Sequence, residues 1–125
     1  MPGKSLRVFL IDDEEMLVSV LTRFLERRGH IVRSAGSVEE ALEKIEPGHV
    51  DAVVLDNNLP GKVGLAAIPE IAAKAGAPVL MITGFAYEGL ETDAETLGAA
   101  AILFKPFDPP ALEAKLQELV DSPST

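Results

Sequence analysis

Five short runs of apolar, β-favouring residues recur along the chain, and each is followed by a segment whose apolar residues return at helical spacing. The runs are Leu6–Ile11, His30–Ala35, Val50–Leu55, Pro78–Ile82 and Ala100–Phe104. After the first, Leu17, Val20, Leu21, Phe24 and Leu25 predict an amphipathic helix that Gly29 ends. Ser37 and Glu40 have the spacing of a capping box ahead of Val38, Ala41, Leu42 and Ile45. A third helix is expected from about Gly64 to Ala75, with Pro69 kinking it or delaying its start. Glu88–Leu97 reads as a weak, acidic helix carrying Gly89. Asp108 caps the last helix, with Pro109 in its first turn and Leu112, Leu116, Leu119 and Val120 as its buried stripe.

Strictly alternating strands and helices leave few solutions. The fold class expected is α/β, a doubly wound five-stranded parallel sheet with helices on both faces, (βα)5 in plan. Runs three, four and five are almost continuously apolar, as parallel strands buried on both faces require, whereas the more polar second run suits a sheet edge. In such a sheet, ligand chemistry belongs at the carboxyl ends of the strands.

At 125 residues the chain is expected to form one domain over 1–125, with a core from about residue 5 to 120 and short tails. No apolar run approaches the ~20 residues that span a bilayer, and the start lacks a signal peptide's pattern. There is no cysteine, which excludes disulfides and thiolate chemistry and fits a cytoplasmic protein. A formal charge of -9 argues against direct nucleic-acid binding, which calls for a basic face.

Strand one ends in Asp12-Asp13, strand three in Asp56, strand four in Thr83-Gly84 and strand five in Lys105-Pro106. Taken singly, each has a plain reading. Asp12 and Asp13 could cap a helix whose positive end Glu14 and Glu15 favour. Asp56 with Asn57 and Asn58 could be a polar turn, and Lys105 a solvated lysine. Brought to one crevice by the fold, they mean more. Two like charges about 4 Å apart repel by roughly 4 kcal/mol in a partly screened setting, so three clustered carboxylates call for a counter-cation. Lys105 supplies part of it. A divalent ion with hard oxygen ligands and retained waters supplies more, which suits magnesium. A carboxylate nucleophile beside a metal, an ammonium and a hydroxyl is a phosphoryl-transfer arrangement.

The stretches IDDEE (Ile11–Glu15), VVLDNNLPG (Val53–Gly61), PVLMITG (Pro78–Gly84) and GAAAILFKPF (Gly98–Phe107) resemble the successive motifs of response-regulator receiver domains of bacterial two-component systems. The resemblance covers nearly the whole chain, and the single-domain chemotaxis regulator is its simplest counterpart. It implies strand order 2-1-3-4-5 and a cytoplasmic switch, not an enzyme acting on other molecules, that takes a phosphoryl group from a sensor histidine kinase or a histidine phosphotransfer domain onto Asp56. It implies metal binding by Asp13, Asp56 and the Asn58 carbonyl, with Asp12 acting mainly through water. It places the phosphoryl oxygens against Thr83, the Gly84 amide, Lys105 and the Asn57-Asn58 turn, and it implies a cis Lys105-Pro106 bond. It further implies pairing of two copies through the face of the fourth helix, fifth strand and fifth helix. Met16 and Val18, flanking the buried stripe of the first helix, are candidates for contact with the kinase.

Two departures stand out. The switch position three before Lys105 usually holds an aromatic ring and here holds Ile102, so Thr83 is expected to move with little contribution from Ile102. The fourth helix is unusually acidic. Rival readings fit less well. A haloacid-dehalogenase-like phosphatase needs an Asp-x-Asp nucleophile after strand one, and a flavodoxin-like flavin binder needs a Ser/Thr/Gly phosphate loop there. A degenerate receiver acting only as an interaction module is the third alternative, and the presence of Asp56, Thr83 and Lys105 speaks against it.

Overall fold

A computed structural model describes residues 4–57 and 64–121, so Asn58, Pro60 and Gly61 of the turn after the third strand lie outside it. Strand and helix alternate as β1 (Arg7–Ile11), α1 (Glu15–Arg27), β2 (Ile31–Ala35), α2 (Val38–Lys44), β3 (Ala52–Asp56), α3 (Gly64–Ala75), β4 (Val79–Thr83), α4 (Leu90–Leu97), β5 (Ala101–Phe104) and α5 (Pro109–Asp121). All strand pairs are parallel and the order is β2-β1-β3-β4-β5, as the resemblance implied.

The period of two along each strand divides the core into two layers. Phe9, Ile11, Val53, Leu55, Val79 and Met81 face α2, α3 and α4, where Val38, Ala41, Ile68, Ile71 and Leu90 meet them. Val8, Leu10, Val54, Leu80 and Ile82 face α1 and α5, where Leu21, Leu25, Leu112 and Leu116 complete the layer. The central strands β3 and β4 are buried at every residue.

Two details differ from the pattern of apolar residues. β5 is no interior strand: it forms the edge opposite β2, its residues are half-buried, and Phe104 is exposed. Helices lie over both its faces, so it reads as apolar as an inner strand although one edge is open. Val20 is exposed, because the buried stripe of α1 narrows to Leu21 and Leu25. Pro69 lies inside α3, which spans Gly64–Ala75 as expected and buries Ala67, Ile68, Ile71 and Ala75 around it. The predicted caps are formed: the Ser37 hydroxyl accepts from the Glu40 N–H at 3.1 Å, and Asp108 Oδ1 from the Ala111 N–H at 3.2 Å.

At the amino ends of the strands, buried His30 joins three elements. Its Nδ1 accepts from the Leu6 N–H at 2.9 Å, so the ring proton sits on Nε2, which faces the Glu113 carboxylate at 2.8 Å. Arg28 pairs with the same carboxylate at 2.9 Å. Burial pushes the Glu113 carboxyl up, but its bonds to His30 and Arg28 outweigh this and leave it below the usual range.

The other end of the sheet depends on a close approach. Gly64 packs so tightly on the end of β3 that a Cβ there would collide with the Asp56 carbonyl oxygen and the Asn57 Cα. The Leu65 N–H, an open donor in the first turn of α3, is taken by Asn57 Oδ1 at 2.8 Å. Gly64→Ala is therefore expected to destabilise the chain by about 1–3 kcal/mol, the usual cost of overpacking, readable by urea denaturation. A wild-type midpoint would show that the contact yields easily.

Candidate functional site

Five residues of the candidate site lie at the carboxyl edge of the sheet, and four of them meet in one crevice: Asp12, Asp13, Asp56 and Lys105. Asp12 and Asp13 follow β1, Asp56 ends β3, Thr83 ends β4, and Lys105 follows β5. β1 and β3 are neighbours with Ile11 beside Leu55, which brings the acidic pair next to Asp56. Oxygens of Asp12, Asp13 and Asp56 lie within 4.8 Å of one another. Asp12 and Asp56 are buried, at 6% and 2% exposure, while Asp13 faces solvent.

Asp12 is in an unfavourable position as a bare anion. Its Oδ1 accepts from the Glu14 N–H at 2.9 Å, but its Oδ2 is buried without a hydrogen-bond partner. Burial pushes its carboxyl up to about 6; the Glu14 N–H and Lys105 pull it back in part, and Asp56 adds to the rise. A buried oxygen without a hydrogen bond, in a cluster of three carboxylates, fits a divalent cation, since a hard ion accepts several oxygen ligands.

Lys105 is the cation the chain itself provides. Its Nζ lies 3.7 Å from Asp12 Oδ2, 3.6 Å from Asp56 Oδ1 and 3.4 Å from Glu14 Oε1. Partial burial pulls its ammonium down, yet Asp12, Asp56 and Glu14 more than offset this and its pKa is raised. Its backbone N–H donates to the Thr83 carbonyl at 2.8 Å, and the Lys105-Pro106 bond is cis, as the resemblance implied.

Thr83 is fully buried, and its hydroxyl is turned onto its own loop. It accepts from the Phe85 N–H at 3.1 Å and donates to the Phe85 carbonyl at 3.2 Å. Gly84 is exposed beside it, and the Phe85 ring is 70% exposed. Asn57 is engaged in the fold: its N–H donates to the Ile82 carbonyl at 2.9 Å and its Oδ1 caps α3. Asn58 lies outside the described residues. Ile102 is half-buried against the α2–α3–α4 layer and lines a hollow with Ala94, Glu95 and Ala99. Met16 is 79% exposed on α1, whereas Val18 packs partly against the core.

Glu14 is the site residue that sequence reasoning assigned only to the helix end. Its adjacency to the acidic pair was the available signal, but its reach to Lys105 spans 91 positions of chain.

Comparison with known proteins agrees with this geometry. The family model described as "Response regulator receiver domain" matches residues 8–117. The transcriptional regulatory protein PdtaR of Mycobacterium tuberculosis is 37% identical over 102 residues, covering 81% of this chain and 50% of that protein. The alkaline phosphatase synthesis transcriptional regulatory protein PhoP of Bacillus subtilis is 34% identical over 115 residues, covering 91% and 48%. The chain thus spans about half the length of the curated relatives it matches. Among solved structures, a response regulator from Burkholderia pseudomallei with a phosphorylated aspartic acid, calcium ion and citrate superposes with a TM-score of 0.84 at 31% identity, covering 93% of this chain and 69% of that one. A CheY-like receiver domain protein from Methanospirillum hungatei gives 0.86 at 27% identity, covering 94% and 95%. With its strand order, its acidic cluster and its lysine all in place, the chain belongs to the response regulator receiver domains, the phosphorylation-dependent switches of two-component signalling.

Proposed function

We propose that this domain accepts a phosphoryl group on Asp56 from a histidine kinase or histidine phosphotransfer protein, with magnesium as its metal, and catalyses only its own phosphorylation and dephosphorylation. The observation that carries the reading is the cluster of Asp12, Asp13 and Asp56 at the end of the sheet, with Lys105 set against Asp12 and Asp56. An Asp56 oxygen forms a bond to phosphorus as the bond from phosphorus to the donor's histidine nitrogen breaks, and that nitrogen keeps the electron pair. Lys105 is already 3.6 Å from Asp56 Oδ1 and faces the negative charge gathered on the transferring oxygens. The Thr83 hydroxyl and the Gly84 amide are the donors assigned to two phosphoryl oxygens. Asp13, Asp56 and the Asn58 carbonyl are the ligands assigned to the metal, with Asp12 acting through water. When bound, magnesium neutralises the clustered carboxylates and polarises the phosphoryl group.

The exposed Met16 on α1 lies on the face assigned to the phosphodonor, and the α4–β5–α5 face, with Tyr87 and Phe104 exposed, is assigned to pairing of two copies. A cytoplasmic setting belongs to the same proposal; among the described residues no helix is long and apolar enough to cross a membrane.

Intact mass spectrometry of the chain incubated with acetyl phosphate tests the reaction. One phosphoryl adduct per chain is expected with magnesium and none with a chelator. Equal adduct yield in both conditions would overturn the proposal.

A further inference from the structure

Glu14 occupies the N-cap position of α1 but does not use its side chain to cap the helix. Its backbone is held at both ends: the N–H donates to Asp12 Oδ1 at 2.9 Å, and the carbonyl accepts from the Val18 N–H at 3.0 Å. The carboxylate is left to project across the crevice to Lys105 Nζ at 3.4 Å. Of the three acids around that ammonium, Glu14 comes nearest and accepts a hydrogen bond from it. It also differs from the other two in its surroundings. Asp12 and Asp56 are buried at strand ends, whereas the Glu14 side chain is 61% exposed on a longer, freer stem. Its hold on Lys105 is therefore the one that can be released without exposing a buried charge.

We propose that Glu14 is a positioning residue that holds Lys105 at the solvent side of the crevice before phosphorylation and competes with the phosphoryl group for it. The inference rests on the phosphoryl-acceptor reading above and adds what sets the resting place of its lysine. A phosphoryl group on Asp56 brings about −1.5 to −2 charges to a point that Lys105 already faces. As the ammonium closes on those oxygens it draws away from Glu14, now 3.4 Å distant, so the pair loosens as the phosphorylated state forms. Glu14 thereby favours the unphosphorylated form. Because one partner is exposed, the competition is modest and screened by salt.

Beryllium fluoride, added to the chain at saturating magnesium and followed by the backbone NMR signals of Gly84 and Phe85, probes this without any turnover. Glu14→Gln is expected to tighten beryllium fluoride binding by about two- to fivefold, in keeping with an exposed ion pair. Glu14→Ala serves as a second variant, since both keep the backbone bonds. Glu15→Gln removes the same charge one residue away, at a carboxylate that is not one of the three acids paired with Lys105, and is the control for long-range electrostatics. In a Lys105→Gln background the excess effect of Glu14→Gln over Glu15→Gln should vanish. An unchanged or weakened affinity in Glu14→Gln, an effect equal to that of Glu15→Gln, or an excess that survives the loss of Lys105 would each overturn the inference. Failure of the wild-type chain to bind beryllium fluoride at all would instead overturn the acceptor reading beneath it.

Discussion

Asp56→Asn is expected to lower phosphoryl incorporation from acetyl phosphate by roughly a thousandfold or more, the scale on which removal of a covalent nucleophile acts. The substitution keeps the size of a residue that is 2% exposed, so the crevice retains its packing. What changes is chemistry. A neutral amide oxygen is a poor nucleophile, and the new NH2 brings donors to a place where Lys105 Nζ, another donor, lies 3.6 Å from an oxygen. The variant also loses one of three crowded negative charges, so its metal-free fold should be no less stable than the wild type. Intact mass and a thermal melt on the same sample check both halves. A full-yield adduct on folded Asp56→Asn protein would move the acceptor to another carboxylate, which peptide mapping would then locate.

The second large effect concerns pH and metal. In the folded, metal-free chain the Asp12 carboxyl is pushed from its ordinary 3.8 to about 6, chiefly by burial. A group whose pKa is raised by folding contributes stability that is fully present below the unfolded value and is lost as pH rises through the folded one. For Asp12 that window runs from about pH 4 to just above pH 6. The displacement is worth up to about 3 kcal/mol, reduced to about 1–2 kcal/mol by solvent reaching the open crevice. Asp51, held below the usual carboxylate range by its hydrogen bonds from the Arg7 guanidinium, and Glu113 act in the opposite direction and lose stability in acid. The Asp12 contribution is therefore read as a difference. Asp12→Asn keeps an oxygen to accept from the Glu14 N–H and should exceed the wild type by about 1–2 kcal/mol at pH 7.5 in chelator, with the gap closing near pH 4. Adding magnesium at pH 7.5 should stabilise the wild type and narrow the gap. Urea denaturation at the two pH values measures this, and parallel pH curves for the two proteins would contradict it.

The parts of the site that were legible in the sequence sit at strand ends. Asp12, Asp13, Asp56, Thr83 and Lys105 each follow an apolar run directly, and a parallel sheet brings every such end to one edge. What could not be read there depends on long-range geometry. Glu14 looks like any acid at a helix start until β5 places Lys105 within 3.4 Å of it. His30 looks like the polar first residue of an edge strand, yet it is buried because Glu113, 83 positions away, meets its ring. The apolar run of β5 does not by itself reveal an edge strand for a related reason: covering helices impose the same apolar composition on an edge strand as on a central one. The direction of the Thr83 hydroxyl has no sequence signature, because it is set by the bend of the loop that follows.

That direction has a consequence for what a partner protein can sense. The hydroxyl of Thr83 serves at once as acceptor for the N–H and as donor to the carbonyl of Phe85. To reach a phosphoryl oxygen it must give up its proton bond to that carbonyl, and a full turn frees the N–H as well. The main chain of Phe85 then presents an unfilled donor and acceptor at the surface, beside an aromatic ring that is already exposed. In the acceptor reading proposed above, chemistry at the buried carboxylate would thus be translated into hydrogen-bonding vacancies on the outside of the molecule, a message that another chain could read by supplying the missing partners.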